Sequence, residues 1–266
     1  MKLGFIGGGV MGEAIIASVL SKGVARSEEI AVCDILSARR EHLRDTYGVR
    51  VTEDAVAAAA GADVVVLAVK PQEFADAAQA LAAKLAADQA VMSIMAGIPI
   101  ATLRDALRHH ALVRAIPNTP AQIGEGVTVW TATEAVPEAV RQEVRSVLAV
   151  LGLELYVADE KYVDMATAVS SSGPAYIFLV MEALIDAAVH IGLRREMAEA
   201  MVIQTVLGSA RYAQTTGRHP AELRNQVTSP AGTTTEGLRV LEKAGLRAAF
   251  TEAVEAAYEK AKRLGG

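Results

Sequence analysis

The hydrophobic pattern changes character once along the chain. Up to about residue 157, short apolar runs at 2–6, 29–33, 63–69, 90–96, 112–116, 126–132 and 154–157 alternate with stretches of helical period at 11–20, 38–47, 100–109 and 136–151. The run "DVVVLAV" at 63–69 shows no in–out alternation, which is what a strand buried on both faces of a parallel sheet requires. Strand and helix in alternation predict a doubly wound α/β sheet. Past 158 the strand-like runs stop, and 159–191, 195–216 and 246–264 all carry helical periodicity. In the last of these, Phe250, Ala253, Val254, Ala257, Ala261 and Leu264 form one apolar stripe. The chain therefore reads as an α/β domain over 1–157 and an all-α domain over 158–266. Alanine runs at 57–60 and 77–87 favour helix without defining an element.

Composition narrows the nature of the core. Of 266 residues 52% are hydrophobic but only 4% aromatic, so the interior is built from alanine, valine, leucine and isoleucine, which suits helices and parallel strands better than a β-sandwich. The formal charge of -5 holds no basic surplus, which argues against a nucleic-acid or membrane-surface partner. Cys33 is the single cysteine; it permits no internal disulfide or cysteine-built zinc site and reads as a small buried hydrophobe. The histidines show no metal-ligand spacing, so no metal is expected, and His190 on an apolar helix reads as a packed core residue. No charged leader precedes an apolar segment, and no uninterrupted apolar run approaches ~18 residues. A cytoplasmic protein outside any membrane is the expectation.

Candidate chemistry begins at Gly7-x-Gly9-x-x-Gly12, which follows a strand and opens a helix. In that context the first glycine allows a tight turn, the second a close approach of backbone to a pyrophosphate, and the third close helix–strand packing. The α/β domain is therefore a dinucleotide-binding domain of Rossmann type. Asp34, at the end of the second strand, stands where an acidic residue bonds ribose hydroxyls and favours NADH; Arg39 and Arg40 follow within a turn and suit either a 2′-phosphate or a solvated helix face. Lys70-Pro71 and Asn118 end later strands at the same carboxyl edge. Asn118 is suited either to the nicotinamide or to an Asx-turn.

Several segments in order carry a resemblance: "GFIGGGVMGEAI" (4–15), "AVKP" (68–71), "PNTPA" (117–121), "SSSGPAY" (170–176) and "VTSPAGTTTEGL" (227–238). Together they resemble the pyrroline-5-carboxylate reductase family, across essentially the whole chain. The resemblance implies a nucleotide-binding domain followed by an all-α C-terminal domain that dimerises, with five dimers joining into a decamer in many members. It implies hydride transfer from NADPH, or NADH, to the C=N bond of 1-pyrroline-5-carboxylate, giving L-proline. The cofactor set it implies is Ile6, Gly7, Gly8, Gly9, Val10, Met11, Gly12, Asp34, Ala68, Val69, Lys70, Pro71 and Asn118. Ser229, Gly232, Thr233 and Thr234 would hold the substrate. Thr234 would serve the ring nitrogen, with Glu160 as a second catalytic candidate.

The chemistry of a cyclic imine carrying a carboxylate explains the hydroxyl-rich loop. Thr233-x-x-Glu236 reads as a capping box, so a helix start with bare N–H groups would lie beside Gly232 and offer a carboxylate site. A neutral hydroxyl from Thr234 would stabilise the imine nitrogen in the transition state. Glu160 either favours the iminium by its charge or only stabilises a helix N-terminus. Pro174 either opens a new helix behind a serine cap or kinks a continuous one.

Three positions depart from the family pattern: Ala231 and Ser171 replace glycines, and Ala55 replaces an asparagine near the adenosine. Rival readings are a hydroxyacid-dehydrogenase-type reductase, whose helical-domain lysine is missing from the loop before Lys243, and a cofactor-sensing protein without turnover.

Overall fold

The computed structural model describes residues 1–264; the side chain of Leu264, assigned above to the last apolar stripe, lies outside the described part. Eight strands form one sheet: β1 (Leu3–Ile6), β2 (Ile30–Cys33), β3 (Arg50–Thr52), β4 (Val64–Leu67), β5 (Ala90–Ser93), β6 (Leu112–Ile116), β7 (Gly126–Ala132) and β8 (Gly152–Tyr156). Their order is β3-β2-β1-β4-β5-β6-β7-β8. β1 to β6 pair parallel, β7 runs antiparallel to β6, and β8 parallels β7. The connectivity reverses between β1 and β4, which places a crevice at the carboxyl ends of those strands.

The helices α1 (Val10–Ser21), α2 (Ser37–Tyr47), α3 (Ala55–Ala59), α4 (Phe74–Leu81), α5 (Ile100–Leu107) and α6 (Glu138–Ala149) link the strands. Apolar strands separate into two clusters by side-chain alternation. Val64 and Val66 of β4 pack with Phe5, Ile15 and Val32 on one face, whereas Val65 and Leu67 pack with Ile6, Cys33 and Leu103 on the other. Each such fully buried side chain is worth roughly 1.5–3 kcal/mol against exposure, so the uninterrupted apolar strand is a consequence of two covered faces. Cys33 is buried, and that burial pushes its thiol pKa upward.

Beyond the sheet come α7 (Lys161–Ala166), a π-helical turn over Thr167–Ser171, α8 (Gly173–His190), α9 (Arg195–Thr216), α10 (Pro220–Gln226), α11 (Thr233–Lys243) and α12 (Leu246–Leu264). The chain divides into two compact units: Met1–Ser172 with the residues from Ala257 onward, and Gly173–Ala256. The division thus falls later than the 157 read from the sequence. The reason is packing: Val163 is buried against Ile116 and Val129, which fastens α7 to the sheet although it is helical.

In the second unit α8 packs on α9, but no residue of α8 is buried and Phe178 and Leu179 are 61% and 64% exposed. His190 is exposed, not the packed core residue expected. The helical stretch Lys161–His190 is long and apolar enough to cross a membrane by length and composition, with 6% of its apolar window buried. It is not an uninterrupted apolar run, because Glu182 and Asp186 punctuate it. Pro174 is the second residue of α8, directly after the π turn, so neither a serine cap nor a simple kink describes it.

Candidate active site

β1 ends at Ile6, and Gly7, at φ 97°, turns the chain towards α1. A Cβ at Gly7 would meet the Ala68 carbonyl at 2.7 Å, one at Gly12 the Gly7 carbonyl at 2.8 Å, and one at Gly8 the Leu43 side chain. Those three glycines are required by the packing of strand, loop and helix. Gly9 is not, since nothing lies within 4 Å of where its Cβ would stand. It is exposed at the N-terminus of a 12-residue helix, whose first N–H groups have no intrahelical partner. Bare backbone, open space and the positive end of a helix dipole together fit a pyrophosphate.

Of the acidic and basic candidates after β2, Asp34 and Arg39 bond this loop and Arg40 bonds the segment just after the strand. Asp34 accepts the Gly8 N–H at 2.9 Å through one oxygen and the Leu36 N–H at 2.9 Å through the other. Arg39 donates to the Gly8 carbonyl and to Glu13, and Arg40 donates to the carbonyls of Asp34 (2.8 Å) and Ile35 (3.1 Å). Neither guanidinium is a freely solvated face. Burial pushes the Glu13 pKa up, but hydrogen bonds from His42, Arg39 and Tyr47 outweigh it and hold the carboxyl below its ordinary 4.5. That link therefore stabilises the folded loop above about pH 4.5 and is lost as acid protonates Glu13 below it.

Further along the carboxyl edge, Ala68 and Val69 are half-buried and Lys70 is exposed, with its N–H donating to Glu73 at 3.2 Å. Asn118 follows β6 and is buried. Its amide nitrogen donates to the Ser170 carbonyl at 3.0 Å and its oxygen accepts the Val127 N–H at 2.9 Å. It therefore ties two distant segments together and makes no Asx-turn.

Glu160 is the N-cap residue of α7, yet its carboxylate serves elsewhere. One oxygen accepts both the Ile100 N–H, at the start of α5, and a guanidinium N–H of Arg114, each at 2.8 Å. Arg114 reaches Asp164 at 2.5 Å with its other terminal nitrogen. This wholly buried arginine was missed in the sequence reading. The available signal was a guanidinium inside "LVRAI", a strand with no polar face to put it on.

The hydroxyl-rich loop precedes α11. Gly232, not Thr233, is the N-cap, and it has no side chain to bond back, so the capping box does not form; Glu236 pairs with Arg239 instead. The helix starts one residue earlier than that motif requires, with Thr233 as its first residue. The Gly232 N–H donates to the Ser229 carbonyl at 3.0 Å, and a Cβ on Gly232 would strike the Ser229 hydroxyl. The Thr235 hydroxyl also donates to the Ser229 carbonyl at 3.0 Å, and that of Thr228 to Arg224 at 2.7 Å. Two hydroxyls are thus spent on the loop's shape. Those of Ser229, Thr233 and Thr234 hold no hydrogen bond within the described residues.

Ala231 sits at φ 56°, a left-handed conformation that costs a residue with a Cβ about 1–2 kcal/mol. Ala231→Gly should raise stability by about 1 kcal/mol, the relief being partly offset by glycine's larger unfolded-state entropy. Thermal denaturation checks this; an unchanged or lower midpoint would show that the loop carries no strain there.

Residues 160–264 match the family described as pyrroline-5-carboxylate reductase dimerisation, and residues 2–97 match that described as NADP oxidoreductase, coenzyme F420-dependent. A pyrroline-5-carboxylate reductase from Synechocystis sp. is 43% identical over 265 residues, covering 100% of this chain and 98% of the relative. The chain belongs to the pyrroline-5-carboxylate reductase family. Two solved structures of such reductases share its fold from end to end. The Coxiella burnetii enzyme has a TM-score of 0.91 at 37% identity, covering 100% of this chain and 98% of its own. The Plasmodium falciparum enzyme, solved with NADP bound, also reaches 0.91, at 30% identity with the same coverage. Among the described residues of this family member, no group of His, Cys, Asp and Glu could hold a metal ion.

Proposed function

We propose that the protein reduces 1-pyrroline-5-carboxylate to L-proline, the closing step of proline biosynthesis, with NADPH as the favoured cofactor and NADH as the alternative. The observation that carries the reading is Gly9: its backbone is bare and open at a helix start although no packing demands a glycine. When bound, the reduced nicotinamide supplies the hydride that the imine carbon accepts. Backbone N–H groups from Gly9 to Gly12 hold the pyrophosphate, flanked by Ile6 to Gly8 and by the edge segment Ala68 to Pro71.

The chain's own part in the chemistry falls to three free hydroxyls. Ser229 and Thr233, with bare N–H groups beside Gly232, bind the substrate carboxylate without bringing a competing base. Thr234 donates to the ring nitrogen, where electron density gathers as the hydride arrives. Glu160 remains a candidate for the same end, but Arg114 already balances its charge at 2.8 Å, so the larger part is assigned to Thr234. NADPH is favoured because Asp34 has both oxygens engaged by backbone, while Arg39 lies against the same loop and Arg40 against the segment after β2.

Oxidation of NADPH and of NADH, followed by absorbance with pyrroline-5-carboxylate beside a panel of oxoacids, the acceptors a hydroxyacid dehydrogenase would reduce, tests the assignment; turnover of an oxoacid alone would replace it. Asp34→Ala should weaken both cofactors to a similar extent, by loosening the loop. A fluorescence titration in which only NADH binding suffers would make Asp34 a reader of the ribose.

The exposed apolar α8 motivates a soluble homodimer formed through the helical unit, since monomers rarely leave such patches bare. The family's dimerisation region begins at residue 160, which supports the same reading, and five dimers forming a decamer is the larger assembly proposed. Light scattering on the purified protein tests both; a monodisperse monomer, or one recovered only in detergent, rejects them.

A further inference from the structure

Asn118 combines three observations that the reaction as described leaves unused. Its side chain is buried at the carboxyl end of β6 and uses both faces of its amide, accepting from Val127 and donating to the Ser170 carbonyl. Ser170 lies within the π-helical turn Thr167–Ser171, where the regular i−4 ladder is interrupted. The residue four places after Ser170 is Pro174, which has no N–H to give back to that carbonyl. A side chain distant in sequence therefore supplies a donor where the regular i+4 donor is missing.

The other end of the segment is fixed as firmly. Arg114 holds Glu160 and Asp164, and Val163 is packed against Ile116 and Val129. Between these anchors and Asn118 runs a strip in which Ala166, Ala168 and the serines from Ser170 are small, with Met165 and Val169 as its larger, exposed side chains. Ser170 and Ser172 turn their hydroxyls back onto the carbonyls of Ala166 (2.9 Å) and Thr167 (3.1 Å). A helix that bonds its own hydroxyls inward presents few competing donors.

The position of this strip in the sheet matters. The crevice lies between β1 and β4, the phosphates belong at α1, and Asp34 marks the adenosine side at β2. A dinucleotide laid across the switch point therefore sends its nicotinamide half the other way, over β4, β5 and β6. Asn118 and Ser170 close that end.

We propose that Asn118 is a positioning residue for hydride transfer: by holding the Ser170 carbonyl it fixes the Thr167–Ser172 backbone as the wall against which the nicotinamide end of the cofactor rests. The inference relies on the reductase assignment above. Asn118 touches neither reacting atom; it acts through the π turn.

Asn118→Asp separates this role from simple stability. It keeps the size and the acceptor for Val127 but sets a carboxylate oxygen against the Ser170 carbonyl. Two readouts are expected to move together. Hydrogen–deuterium exchange of the 167–172 amides in the cofactor-free protein should quicken at least tenfold, while the β4 amides stay protected. In turnover, kcat should fall about 10–100-fold, as a misplacement of order 1 Å produces, and the kinetic isotope effect with 4-deuterated NADPH should rise. NADPH affinity should stay within about threefold, because the phosphate loop is untouched. Asn118→Ala, which adds no charge, covers the case where the aspartate variant folds poorly and should show the same two changes.

Unchanged exchange at 167–172, or a loss of rate that merely tracks the folded fraction with an unaltered isotope effect, would overturn the role. Failure of the underlying assignment looks different: wild-type protein would then leave the imine unreduced, whatever Asn118 does to the exchange of the π turn.

Discussion

Thr234→Ala should lower kcat by roughly ten- to a thousandfold, the usual loss when one oriented donor to a developing charge is removed. The variant is clean for a structural reason. The Thr234 hydroxyl bonds nothing within the described chain, whereas its neighbour Thr235 secures the loop through the Ser229 carbonyl. Alanine near the start of α11 costs little helix stability, so melting temperature and NADPH affinity should barely move. Thr234→Ser, which keeps the oxygen, should retain most of the rate. Steady-state kinetics with the imine decides the matter: an alanine variant at parental turnover would remove Thr234 from the mechanism.

Arg114→Met should cost about 3 kcal/mol of stability, the lower end for breaking a buried ion pair, because Glu160 and Asp164 keep partial access to water. The change leaves two carboxylates facing a space designed for a cation and removes the tie between β6 and α7. It also frees the oxygen that accepts the Ile100 N–H to move away from α5. Arg114→Lys should lose less, since it keeps charge but not the fork that reaches two acids at once. Denaturant titration followed by Trp130, the single tryptophan and buried in β7, measures both. A midpoint shared with the parent would mean the network carries no net stability.

Much of this fold was legible because its determinants are local. A short apolar or alternating run bounded by turn residues announces a strand, so β6 and β7 have the bounds read from the pattern, and α9 and α12 follow from periodicity alone. β3 was missed because "RVT" is three residues long and has no fully buried position. α3 and α4 showed only as alanine runs, where propensity without a clear stripe leaves the bounds undefined. The same rule divides the site residues. Glycines at 7 and 12 declare local backbone needs, and the hydroxyl loop is contiguous. Arg114 and Asn118 meet partners 46 and 52 residues away, and no window of neighbouring positions records that. The capping box failed for a subtler reason: a glycine directly before the first threonine can itself start the helix, so the threonine was free for other work.

Helix α8 buries none of its residues within a single chain. In the homodimer proposed above, the copy that covers its leucines and phenylalanine would enter the folding equilibrium by mass action, and the durability of this molecule would become a function of its own concentration. Dilution alone should lower its melting point. An assay run at trace amounts would then sample a weaker protein than the one working in a crowded cell.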